Sequence, residues 1–111
     1  MTLRARATGT PVSVAERHPR SVAFAPPRPN PFQGLVGLAF DLPRDALVSL
    51  EALDLSGRRV ATIVAGAQAA GRHELRWRPA DGRGAPLEPG LYFLRFRAAG
   101  FTGVRRIVLL P

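Results

Sequence analysis

The stretch RHELRWR, Arg72 to Arg78, constrains this chain more than any other, because it switches between charge and bulk at every residue. Arg72, Glu74, Arg76 and Arg78 fall on one side, and His73, Leu75 and Trp77 on the other. Only an extended chain gathers alternate side chains onto one face, so the segment predicts a strand with one wet and one buried side. The same period recurs elsewhere. Val36, Leu38 and Phe40 share a face in GLVGLAF, before DLPRD breaks the run. Val48, Leu50 and Ala52 alternate with Ser49 and Glu51, and Tyr92, Leu94 and Phe96 alternate with Arg95 and Arg97. Turn signals separate these runs. Ser56-Gly57 reads as a two-residue hairpin turn, after which RRVATIV should run back antiparallel to the preceding strand. The C-terminal GVRRIVLL reads as a strand whose faces cannot be assigned, since Ile107 to Leu110 is continuously apolar. VAGAQAAG is the one place for a helix, and Gly66 and Gly71 bracket too few residues there for a stable one. Six or seven short strands with regular turn signals predict an antiparallel all-β sandwich.

Length and charge divide the chain. It has 111 residues, room for one domain. Seven of its eleven prolines fall at or before Pro43, and Pro26, Pro27, Pro29 and Pro31 predict an extended, polyproline-like lead-in. Residues 1–28 are therefore expected to be a flexible Arg/Pro-rich tail, and residues 29–111 the folded body. A body of about 80 residues buries only about 60% of its unfolded surface, which excludes a large internal active-site cavity. The net charge of +8 splits evenly: five Arg less one Glu gives +4 over residues 1–30, and eleven Arg less seven acids gives +4 over the rest. Such a surplus favours anionic partners and says nothing of fold. No lysine is present, so the basic residues are all Arg. With no cysteine there is no disulfide, thiolate nucleophile or sulfur-ligated metal. No apolar run is long enough for a membrane span, and the first twenty residues show no signal-peptide core.

The residues offer little reactive chemistry. His73 shares its face with Leu75 and Trp77 and is expected to be packed and satisfied by a backbone group; His18 lies in the tail. No Cys, Lys or second structured His could complete a nucleophile and base pair with either one. Asp41, Asp45, Asp54 and Asp81 each lie beside a turn, where Asp satisfies nearby backbone donors, and their spacing fits no calcium loop. No catalytic, cofactor or metal residue is assigned. The arginines make the one positive case: if the strands holding RHELRWR and LYFLRFR show their polar sides together, Arg76, Arg78, Arg95 and Arg97 form a guanidinium patch suited to an anionic surface. Nucleic acid fits such a patch less well, because alternation turns Trp77 and Phe96 to the opposite face. An ordinary solvated face is the competing reading.

Five segments in order complete the picture: PNPF (29–32), VSLEALDLSGRRV (48–60), GRHELRW (71–77), EPGLYFLRF (88–96) and RRIVLLP (105–111). Together they resemble the C-terminal sorting domains of type IX secretion cargo, and are equally similar to the Ig-like domain of the flagellar hook-capping protein. The resemblance implies a seven-stranded Ig-like sandwich on a larger exported protein, with no enzymatic activity. For the sorting family it implies an address that outer-membrane secretion or cell-surface machinery reads, often cleaved as the cargo is attached to anionic lipopolysaccharide. Carried onto this chain, the recognised features would be Asp54, Gly57 and Arg58 in the turn, Gly90 and Tyr92 at a strand start, and Arg105, Arg106, Ile107, Val108, Leu109 and Leu110 in the last strand. A terminal strand with unpaired edge groups could be captured by strand addition, or could self-associate. For the hook-capping kind the implication is a protein–protein interaction module, and the remaining alternative is an Arg-rich polyanion binder.

Overall fold

A computed structural model describes residues 19–111. The first eighteen residues, with His18 and most of the expected tail, lie outside the described part. Seven strands follow in order: β1 (Ala23–Phe24), β2 (Val36–Leu42), β3 (Ala46–Leu53), β4 (Arg59–Gln68), β5 (Gly71–Trp77), β6 (Gly90–Ala98) and β7 (Phe101–Leu109). They form two antiparallel sheets, one of three strands in the order β1-β2-β5 and one of four in the order β4-β3-β6-β7. The expected all-β sandwich is what the chain forms.

Alternation does the sorting. Every second residue of β2 (Val36, Leu38, Phe40, Leu42) and of β6 (Tyr92, Leu94, Phe96, Ala98) is buried, as are Val48, Leu50 and Ala52 of β3. Phe96 is the hub between the layers. Its ring stacks on Phe24 at 5.2 Å and tilts against Phe40 at 5.0 Å and Phe101 at 6.1 Å. Each such side chain contributes about 2 kcal/mol by leaving water, and ring pairs add to that. In β7 the ambiguity of the apolar run resolves: Ile107 and Leu109 face the core, while Leu110 is exposed.

Several expectations need correction. The folded body begins before residue 29, since β1 pairs with β2 and Phe24 is in the core. The polyproline-like lead-in is not one extended run. Arg28 bridges Gly37 in one sheet and Phe32 bridges Leu109 in the other, so the chain crosses the sandwich between them, drawn by the burial of Phe32. No helix forms at VAGAQAAG. Most of that segment completes β4, where Ala65 to Gln68 pair with Ala46 to Ser49 and Gly66 holds a positive φ of 124° that a helix does not use.

The β3–β4 hairpin is wider than two residues. Gly57 N–H donates to Asp54 C=O at 2.9 Å and Asp54 N–H to Arg58 C=O at 2.9 Å, which closes a three-residue loop with Gly57 at φ 87°. This is the type I turn followed by a left-handed glycine that suits a three-residue hairpin.

Candidate functional site

No single reactive cleft organises the fold of the described residues. Among the described residues there is no group of three His, Cys, Asp or Glu placed to hold a metal ion. His73 stacks on Phe40 at 4.8 Å, and its Nε2 lies 2.7 Å from the Ala69 carbonyl, so its ring is committed to packing and to a backbone group. Of the four Asp expected to satisfy turns, Asp41 instead lies within β2 and pairs with Arg72, and Asp45 accepts from the distant Ala70 N–H, while Asp54 and Asp81 are turn formers. Asp54 Oδ1 accepts from the N–H of Ser56 (2.9 Å) and of Arg58 (3.0 Å), and Asp81 Oδ1 from the N–H of Arg83 (2.8 Å) and of Ala85 (3.0 Å). Gly57 and Gly84 occupy the same place in the two turns, at φ 87° and 85°. One five-residue device is thus used twice. The bonds hold both carboxyls below their ordinary range, chiefly the Ser56 hydroxyl at Asp54 and the Arg83 N–H at Asp81.

The residues singled out for recognition gather mostly at one pole. Asp54, Gly90 and Tyr92 line a shallow hollow of about 360 Å³ with Leu55, Ser56, Pro89 and Leu91. Beside it, Gly90 pairs with Leu109, Leu91 with Val108 and Tyr92 with Ile107. Each has a structural occupation. Tyr92 donates its hydroxyl to the Glu88 carbonyl at 2.6 Å, a corner of the kind Ig sandwiches use, and burial pushes that hydroxyl above its ordinary pKa. Arg58 Nε pairs with Asp54 Oδ2 at 3.2 Å. Arg105 lies apart, reaching across the sandwich to donate from Nη2 and Nε to the Phe24 carbonyl at 2.7 and 3.2 Å.

The last strand is less open than its place at the sheet edge suggests. Asn30 Nδ2 donates to the Arg106 carbonyl (2.7 Å) and Asn30 Oδ1 accepts from Val108 N–H (3.0 Å). Phe32 N–H donates to the Val108 carbonyl (2.9 Å), and Phe32 C=O accepts from Leu110 N–H (2.8 Å). The PNPF segment therefore caps the C-terminal half of β7, the half expected to be free for capture. Strand alternation turns the backbone groups of Thr102 and Val104 outward, where among the described residues no backbone partner meets them, because β6 is the one strand that pairs with this half of β7.

The four-arginine patch does not form. β5 and β6 belong to different sheets, so Arg76 and Arg78 face away from Arg95 and Arg97. Arg95 and Arg97 instead converge with Arg59 on Glu51, a carboxylate in β3 that is only 7% exposed. Glu51 Oε1 accepts from Arg95 Nη2 at 2.8 Å and Arg97 Nη2 at 3.5 Å, and Oε2 from Arg59 Nη1 at 3.4 Å. The Arg95 hydrogen bond chiefly holds the Glu51 carboxyl below its ordinary range, against the opposing effect of burial. Arg95 Nε is buried without a partner. The sequence carried no local sign of this cluster, because its members come from three strands and meet only through the register that sets Glu51 opposite Arg95.

The Ig-like family model described as the FlgD Ig-like domain matches residues 31–100, more than half of the chain. The chain belongs to the FlgD Ig-like domain family. The match starts within PNPF and ends between β6 and β7, so it takes in β2 to β6 and both Asp turns. Among solved structures, FlgD from P. aeruginosa is 25% identical with a TM-score of 0.52, over 68% of this chain and 66% of that one. The dimeric latent PorU of Porphyromonas gingivalis is 17% identical with a TM-score of 0.60, over 80% of this chain and 9% of that one. AlkC, an alkylpurine DNA glycosylase of Pseudomonas fluorescens, is 14% identical with a TM-score of 0.50, over 77% of this chain and 28% of that one. The PorU and AlkC likenesses show the fold alone. This chain thus spans a small part of PorU and just under two thirds of FlgD. No curated protein matches it.

Proposed function

We propose that this FlgD-type Ig-like domain is a non-catalytic protein–protein interaction module of a surface or appendage assembly, the hook-capping kind of role. The observation that carries the reading is the family match over residues 31–100. The surface agrees with it. The side chains that could do chemistry are engaged in turns, packing and ion pairs, while the exposed apolar residues Leu47, Leu55, Val104 and Leu110 are of the type that a partner covers. An extracellular or flagellum-associated location goes with the same reading. The type IX sorting role has less behind it, because the PorU likeness is one of fold and the strand half it needs free is tied to Asn30 and Phe32.

Photo-crosslinking in the source cells tests the proposal. A photoreactive residue replacing Leu47, which is 74% exposed, is expected to give discrete adducts with other proteins of a surface structure. Adducts only with nucleic acid or lipid, or none, would overturn it.

A further inference from the structure

The two outward faces of the sandwich are built to different chemistry, and the difference points to where a partner sits. On the three-stranded sheet, β2 presents Gly37, Ala39 and Asp41 opposite Arg76, Glu74 and Arg72 of β5. Among the strand residues two Arg and two acids balance there, and Arg28, which lines a hollow on the same face, adds one positive charge. Arg72 bonds both Asp41 Oδ1 (3.1 Å) and Glu74 Oε2 (3.0 Å), and the other outward side chains of β2 are small. That is how a solvated face looks.

The four-stranded sheet presents something else. Its outward residues run in rows across the strands: Ser49, Arg97 and Thr102; then Glu51, Arg95 and Val104; then Leu53, Phe93 and Arg106; then Leu91 and Val108. Arg59 of β4 joins the second row through Glu51. Four Arg less one Glu leaves a surplus of three positive charges. Each guanidinium has five N–H donors, yet Arg59, Arg95 and Arg97 share the two oxygens of one carboxylate, so the cluster is short of acceptors. Beside it lie Phe93, Leu91 and Val108, all half-buried, and Val104, which is 55% exposed. Arginine and aromatic side chains around an apolar centre are the composition of binding hot spots.

We propose that this face, centred on Phe93 and Arg95, docks a protein partner that presents carboxylates around an apolar patch. The inference rests on the interaction-module reading and names the surface and the partner's chemistry. Glu51 is the positioning residue: buried beneath the arginines, it fixes their heads so that little side-chain freedom is lost on binding. Charge complementarity selects the occupant. A second copy would set a surplus of three positive charges against its own like and be repelled. Nucleic acid would satisfy the guanidiniums but leave Leu91, Val104 and Val108 without an apolar counterpart.

The test is amide-shift mapping on the isotopically labelled full chain, titrated with a probe peptide that alternates glutamate with valine and leucine. Shifts are expected on β6 and β7 from Leu91 to Arg97 and around Val104 to Val108, with the outward face of the three-stranded sheet silent. The double variant V104T/R106E removes one apolar and one cationic side chain from this face without placing a carboxylate across from Arg95. It is expected to bind the probe about tenfold more weakly with its unfolding midpoint unchanged. The same peptide with glutamine in place of glutamate should also bind weakly. Undiminished binding by the variant, equal binding of polyglutamate or oligothymidine, shifts on the other sheet, or no binding at all would each overturn the proposal. None of those results decides whether the chain is an interaction module, which the crosslinking adducts judge separately.

Discussion

Glu51 shows how one side chain couples to many. Its carboxyl is held below its ordinary value of 4.5, first by the Arg95 hydrogen bond, and Asp54 and Asp81 are held below 3.8 by turn donors. A carboxyl whose pKa falls on folding stabilises the fold fully above its unfolded value and loses that contribution as pH drops through the folded one. Stability should therefore decline as the pH is lowered through about 4.5 and below, measurable by urea unfolding at a series of pH values. Glu51→Gln should destabilise by on the order of 2 kcal/mol near neutral pH, since it leaves three guanidiniums without a countercharge, and should flatten the acid side of that curve. The two Asp turns are equivalent devices at separate places. Asp54→Ala and Asp81→Ala should each lower the urea midpoint, and the double variant should show the sum of the two shifts.

At the scale of elements, the edges differ in how they are guarded. β4 carries register shifts against β3 at Leu50/Glu51 and at Ala52/Leu53, irregularities that twist an edge away from further pairing. β7 is guarded over its second half by Asn30 and Phe32, and over its first half, among the described residues, by no strand. Hydrogen exchange should show this as a boundary within one strand: slow amides at Val108 and Leu110, fast ones at Thr102 and Val104. Asn30→Ala should release the Val108 amide while leaving the Leu109 amide, which faces β6, protected. Deleting residues 105–111 is a different matter, for it removes Ile107 and Leu109 from the core along with the partner of Phe32. That deletion should unfold the domain, seen as loss of the cooperative thermal transition, so any loss of transport or binding it causes would not identify a recognition sequence.

At the scale of the whole molecule, two sheets meet through a small number of rings. Phe96 contacts Phe24, Phe40 and Phe101, and so joins β6 to β1, β2 and β7. Phe96→Ala should cost about 3–5 kcal/mol, a large share of what a domain of this size has, and circular dichroism on heating would register it. The sandwich also separates the arginines that the linear sequence places side by side. One outward face mixes its arginines with acids and small side chains, the other carries a larger cationic surplus, and only the second offers an apolar centre to a partner.

The sequence by itself determined six of the seven strands, the inward faces of β2, β3, β5 and β6, and the use of Asp and Gly in turns, because these are properties of period-two alternation and of residues acting over a few positions. RHELRWR, LYFLRF and the Asp turns were legible for that reason. The lead-in was not legible: Pro26 to Pro31 read as a spacer, although Phe24 and Phe32 on either side of it are core residues and Asn30 seals a strand 78 positions away. Nor was the candidate site, since no local pattern says which sheet β5 or β6 will join. Only the tertiary structure could put Arg59, Arg95 and Arg97 on Glu51 and keep Arg76 on the opposite side. Strand order and register decide which charges meet, and both are set by burying the two apolar faces against each other rather than by the charges themselves.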